Sequence, residues 1–242
     1  MVFLTQSAAV FGIDALIVDI EVNLRPPSGD SDPAPAITIV GLPDTAVRES
    51  KERIRASINN SGYFFPILKT TVNLAPADLR KEGASFDLPI ALGILGANGD
   101  LGNFEKASNI LSVGELSLDG RVRPVRGALS IALAARENGI ANVLLPEENA
   151  TEAAVVQGVN VFPVNTLRDA AMLTADISTG EPTRIPPLKL DLSELKSRDN
   201  IYGIDFSEVA GQQTAKRALE VASAGGHNIL LFSTQHLCEF LH

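Results

Sequence analysis

The stretch Ser112–Glu147, SVGELSLDGRVRPVRGALSIALAARENGIANVLLPE, constrains the fold of this chain more than any other. Val113, Leu116 and Leu118 lead into Asp119-Gly120, a dipeptide that supplies a tight turn at little conformational cost. Val122 and Val125 follow on a return strand. From Gly127 the apolar period lengthens: Leu129, Ala132, Leu133 and Ala135 fall at helical spacing until Asn138-Gly139. Val143-Leu144-Leu145 then forms a short buried strand that Pro146 stops. A helix between two strands is the crossover that parallel sheets require, so the chain reads as α/β.

The rest of the chain agrees with that class. Ser7–Ile13 and Ala15–Leu24 alternate apolar and polar residues as half-buried strands do. Arg25–Pro35 is a turn-rich loop, and residues 36–40 form a third strand. Asp44 is the expected N-cap of a helix carrying Ala46, Ile54 and Ile58 on its inner face, closed by Asn60-Ser61-Gly62. Thr70–Leu74 is a fourth strand. An exposed loop, Arg80-Lys81-Glu82-Gly83, leads to a helix over about Leu88–Leu95, with Asp87 as its cap and Pro89 in its first turn. Thr151–Gly158 and Leu167–Thr174 are short helices around a strand at Val159–Val164. The segment from Asp176 to Asn200, rich in Pro, Thr, Ser and charge, is the expected linker. A second unit starts near Tyr202, with a helix over Gln212–Ala224 and a buried strand at Ile229–Phe232.

A net charge of −9 disfavours a whole-surface electrostatic grip on nucleic acid but permits a local basic patch. With no tryptophan and 5% aromatic residues, no stacking platform for bases is evident. The single cysteine, Cys238, suits a reducing compartment. The first residues lack the features of a signal peptide, and no apolar run approaches the roughly 20 residues of a membrane span. A soluble, cytoplasmic protein without membrane contact is expected.

Several consecutive motifs carry a family resemblance. They are Val40-Gly-Leu-Pro-Asp44, Arg48-Glu-Ser-Lys-Glu-Arg53, Val72-Asn-Leu-Ala-Pro76, Lys81-Glu-Gly-Ala-Ser-Phe-Asp-Leu-Pro-Ile90, Val113-Gly-Glu-Leu116 and Gly120-Arg-Val-Arg-Pro124. Through them, residues 1–175 resemble the N-terminal domain of the ComM/YifB group of magnesium-chelatase-like proteins. Asp205–Asn228 looks like the entry to that family's AAA+ ATPase module. The resemblance implies a ribosomal-S5-domain-2-like, Lon-protease-like fold over 1–175, a linker at 176–200, and a truncated AAA+ start with a divergent tail at 201–242. It further implies oligomerisation, as a hexamer in the intact family, and engagement of single-stranded or branched DNA during branch migration. A regulatory or scaffolding partner of a chelatase-type complex, without DNA contact, is the alternative. ATP and magnesium are implied for the intact family; none is expected in this chain.

The site residues follow from that comparison. Lon-type peptidases pair a Gly-x-Ser serine with a lysine on the later crossover helix, because a hydroxyl needs an adjacent base to attack. Gly83-Ala84-Ser85 matches the serine, but Leu129 stands at the lysine position and no lysine occurs from Gly127 to Arg136. Ser85 is therefore a structural residue, and no catalytic residue is assigned. A phosphate-binding loop, G-x-x-x-x-G-K-[ST], should follow Ile229–Phe232. Residues 233–242 contain neither glycine nor lysine, so the chain alone is not expected to hydrolyse ATP. Phe206, Val209, Gly211 and Gln212 match the stretch that borders the adenine in AAA+ modules, a nucleotide-binding remnant. Arg48, Lys51 and Arg55, at i, i+3 and i+7, form one candidate basic face, and Arg121, Arg123 and Arg126 a second. Both are candidates for DNA phosphates, with Glu49 and Glu52 interleaved as salt-bridge partners in the alternative. His227, His236, Cys238 and His242 are too few and too irregularly spaced for zinc, so no metal site is assigned.

Overall fold

The computed structural model describes residues 2–26, 37–77, 81, 83–102, 106–190 and 208–230. Two compact units divide the chain, residues 1–190 and 191–242.

The first unit opens with β1 (Val2–Phe11) and β2 (Asp14–Arg25), a hairpin closed at Gly12-Ile13. On β2, Val18, Ile20, Val22 and Leu24 are buried while Glu21 and Asn23 are exposed, as alternation predicts. β3 (Ile37–Val40), α1 (Thr45–Asn60), β4 (Lys69–Ala75) and α2 (Asp87–Asn98) follow. Then come β5 (Lys106–Ser112), β6 (Glu115–Leu116), β7 (Val122–Arg123), α3 (Ala128–Glu137), β8 (Asn142–Pro146), α4 (Glu147–Ala153), β9 (Asn160–Val164) and α5 (Leu167–Thr179).

Seven strands form one sheet in the order β3-β4-β2-β1-β5-β8-β9. Only β2, among these seven, runs against its neighbours; the remaining pairs are parallel. The sheet separates two apolar cores. One holds α1, α2 and α5 through Ile54, Ile58, Leu92, Leu95, Ala170 and Leu173. The other holds α3 and α4 through Ile131, Ala135, Ala150 and Ala153, against Leu111, Val143 and Leu145. Burial on both faces explains the continuous apolar run of β8.

α2 is the central helix, buried from Asp87 to Ala97. Its glycines let it approach the sheet closely. A Cβ on Gly96 would lie 2.4 Å from the Phe3 ring, and one on Gly93 would lie 2.6 Å from Val22.

Several expectations need correction. The anticipated strand over residues 112–118 is split: β5 ends at Ser112, and β6 pairs with β7 in a separate two-stranded ribbon. α4 starts at Glu147, directly after β8, where Pro146 supplies the extended entry and Glu147 and Glu148 favour a helix N-terminus. α5 runs on to Thr179 behind a capping box of Thr166 and Asp169, through the expected domain boundary at 175. Leu188 packs in the second core and its N–H donates to Val161 O (2.7 Å), so the segment read as linker begins within the first unit. Lys81, expected in an exposed loop, is fully buried.

In the second unit, α6 (Gln213–Gly225) matches the expected helix. Ile229 and Leu230 are not in a strand, and Leu231 and Phe232 lie outside the described residues.

Candidate functional site

Two loops meet at the start of α1. Gly41 adopts φ 98°, and a Cβ there would lie 2.1 Å from Leu74 O, so the residue is confined to glycine on two counts. Asp44 caps α1: its Oδ1 accepts from Val47 N (2.8 Å) while Oδ2 accepts from Gly83 N (3.1 Å). Asp44 N donates to Lys81 O (3.1 Å), and Lys81 N donates to Leu42 O (3.3 Å). The Lys81 ammonium donates to the Pro76 carbonyl. The Gly41–Asp44 and Lys81–Ser85 segments are thereby zipped together.

A 3-10 turn at Ala84–Phe86 then enters α2. Phe86, and not Asp87, is the N-cap, and no side chain caps the helix. Asp87 turns inward to Arg53 of α1 instead. Arg53 Nε donates to its Oδ2 (2.9 Å) and Nη2 to Oδ1 (3.2 Å), and Leu116 N donates to Oδ2 (3.2 Å). Burial pushes the Asp87 carboxyl up to about 6, against the downward pull of Arg53 and the Leu116 amide. The hydrogen bond to Asp87 holds the Arg53 guanidinium above its ordinary range.

Ser85 is fixed through its backbone, its carbonyl accepting from Gly114 N (2.9 Å). α3 carries no lysine; Leu129 is 39% exposed, and its N–H donates to Glu152 Oε1 (3.1 Å). Nearby in sequence, the Lys81 ammonium is held by the Pro76 carbonyl and the Asp87 carboxylate by Arg53.

The two basic groups differ. On α1, Arg48 and Arg55 are exposed and Lys51 is half-buried; Arg48 and Lys51 make no ion pair among the described residues. Arg55 Cζ lies 5.6 Å from the Phe65 ring centroid, a cation–π contact. On the β6–β7 ribbon, Arg121 pairs with Asp119 (2.8 Å) and Arg123 with Glu115 (3.4 Å). A hydrogen bond from Ser117, then Arg121, holds the Asp119 carboxyl down at about 2. Exposed pairs of this kind stabilise little, but they spend the arginines' charge. Arg126 is exposed without a pair among the described residues. Asn60 Nδ2 donates to Leu118 O (2.7 Å), tying α1 to the ribbon.

The structure adds residues that sequence reasoning passed over. Phe64 and Ile67, in the loop after α1, are 86% and 79% exposed. Tyr63 and Phe65 are anchored to the last turn of α1, and Phe64 and Ile67 face outward beside them. The Arg53–Asp87 pair, 34 residues apart, has no signature in local spacing.

In the second unit, Val209 O accepts from the Lys216 ammonium, and Gly211 and Gln212 lie at the entry to α6 with φ 73° and 52°. Phe206 lies outside the described residues, as do His236, Cys238 and His242. Gln212 is exposed. No group of three or more His, Cys, Asp or Glu that could hold a metal ion occurs among the described residues. No helix of the described residues is long and apolar enough to cross a membrane.

Residues 29–149 match the family described as subunit ChlI of Mg-chelatase, and residues 205–235 match that of magnesium chelatase, subunit ChlI. The chain is 38% identical over 231 residues to the uncharacterized protein YifB of Salmonella typhimurium, covering 94% of this chain and 42% of that protein. It is 37% identical over 230 residues to the competence protein ComM of Haemophilus influenzae, with the same two coverages. A weaker similarity, 28% over 101 residues, covers 40% of this chain and 13% of the Lon protease of Buchnera aphidicola. The chain thus spans less than half the length of the first two relatives.

Proposed function

We propose a role for this chain from one premise: it belongs to the magnesium-chelatase ChlI family, in its ComM/YifB-like group. The first unit is a Lon-like, S5-domain-2-like scaffold without peptidase chemistry, used for assembly of copies and for contact with DNA. Branch migration in natural transformation or recombination is the process this role serves. ATP hydrolysis and magnesium belong to the AAA+ motor of the intact family, of which the second unit is the start.

The observation that carries the reading is the α1 face, where Arg48 and Lys51 stand without ion pairs among the described residues beside Arg55. Cations left unneutralised on a rigid helix suit phosphate contact, in an otherwise acidic protein. The second reading, a scaffold in a chelatase-type complex without DNA contact, draws on the net charge of −9 and on the neutralised Arg121 and Arg123. A gel-shift assay with labelled single-stranded and branched DNA at low salt separates the two. A retarded complex lost on Arg48→Glu plus Lys51→Glu supports DNA contact; no retardation leaves the scaffold. Light scattering on the chain reports self-association independently.

A further inference from the structure

The loop between α1 and β4, residues 61–68, presents two large apolar side chains to solvent from a firmly held backbone. Tyr63 N donates to Ile58 O (3.2 Å) and Phe65 N donates to Asn59 Oδ1 (3.0 Å), fastening the loop to the last turn of α1. Phe65 and Pro66 are buried, and the Phe65 ring carries the Arg55 guanidinium. Between these anchors Phe64 is 86% exposed and Ile67 79%. Scattered surface apolar residues are ordinary, but two at this exposure, held out by anchored neighbours, form a built projection.

The surroundings are cationic. Arg48, Lys51 and Arg55 share one side of α1, with Glu52 as the acidic residue among them, and seven residues of helix rise about 10 Å. On the other side the loop enters β4 at Lys69, the strand partner of exposed Arg25. An exposed ring on a surface that also carries cations is how proteins grip unpaired nucleic acid.

We infer that the 61–68 loop is a base-contacting element for single-stranded nucleic acid: Phe64 stacks on an unpaired base, Ile67 flanks it, and Arg48, Lys51 and Arg55 hold neighbouring phosphates. The inference rests on the DNA contact proposed above and narrows its substrate to unpaired strands. A base inside a duplex hides its face, so the ring adds nothing to duplex binding.

The chain contains no tryptophan, so Phe64→Trp places a sole tryptophan in the loop, excited selectively over the two tyrosines at long wavelength. Its emission is expected to be quenched by oligo-dT and unchanged by a duplex of equal length, while Ile13→Trp, at the β1–β2 turn, responds to neither. Phe64→Ala is expected to weaken oligo-dT binding roughly ten-fold, in line with the alanine cost of stacking, without changing duplex affinity or the thermal melt. If Arg48→Glu plus Lys51→Glu weakens oligo-dT binding while Phe64→Ala does not, the loop inference fails and DNA contact stands. If the wild type binds neither DNA at low salt, both fall. If Phe64→Ala alters the mass by light scattering but not DNA affinity, the loop is a contact between copies and the inference is overturned.

Discussion

Arg53 grips Asp87 at two points, Nε to Oδ2 at 2.9 Å and Nη2 to Oδ1 at 3.2 Å, around a carboxylate whose side chain is 1% exposed. The Leu116 amide donates to the same Oδ2 at 3.2 Å, so one carboxylate joins α1, the start of α2 and the β6–β7 ribbon. This point lies two residues from Ser85. It is a structural lock.

Removing one half of the lock strands the other. Arg53→Leu leaves a buried carboxylate without its charge partner and is expected to cost about 3 kcal/mol in urea unfolding, since breaking a buried pair leaves an uncompensated charge. Arg53→Leu with Asp87→Leu should recover much of that loss. A double variant no more stable than the single one would show that the pair is not the source.

The lock also sets a pH dependence. Asp87 titrates near 6 when folded, against 3.8 as an ordinary carboxyl, so between about pH 4 and pH 6 the folded state binds more protons than the unfolded one. Stability from this group is present below pH 4 and is lost as pH rises through 6. Asp87→Asn should flatten that decline, so its penalty relative to wild type shrinks above pH 6. Melts at pH 4 and pH 7 check this; a penalty that grows with pH would contradict it.

Helix α2 lies too close to β1 for any side chain at Gly96, whose Cβ would sit 2.4 Å from Phe3. Gly96→Ala gains up to about 1 kcal/mol of helix propensity but overpacks a full core, at about 1–3 kcal/mol. Net destabilisation is expected, relieved by Phe3→Leu. A stabilised Gly96→Ala would mean that the β1–α2 contact gives way easily.

Ser85 should be inert. Without a lysine on α3 its hydroxyl lacks a base, and an active-serine phosphonate probe is expected to leave it unlabelled. Labelling that disappears in Ser85→Ala would restore the peptidase reading.

The fold class was legible because strand alternation and the helical period between Gly127 and Arg136 report burial directly. The Asp44 cap was legible too, because a cap bonds within its own turn. What escaped depends on contacts distant in sequence. Asp87 looks like a helix cap beside Pro89, but Arg53 reaches it from α1. Lys81 looks exposed among charged neighbours, yet the zipped loops bury it and bring it to Pro76. The boundary at 175 followed composition, whereas the capping box at Thr166 and the packing of Leu188 carry the first unit further. Of the basic residues, spacing could not reveal which had acidic partners: Arg121 and Arg123 do, while Arg48 and Lys51 have none among the described residues.

DNA contact through α1 is tested most directly by fluorescence anisotropy of labelled single-stranded DNA across a salt series. The wild type is expected to bind at low salt, its log affinity falling linearly with log salt concentration. Arg48→Glu plus Lys51→Glu should weaken binding and reduce that slope by about 1.4, for two lost phosphate contacts on a single strand. An unchanged slope in the double variant, or no binding by the wild type at low salt, would contradict the account.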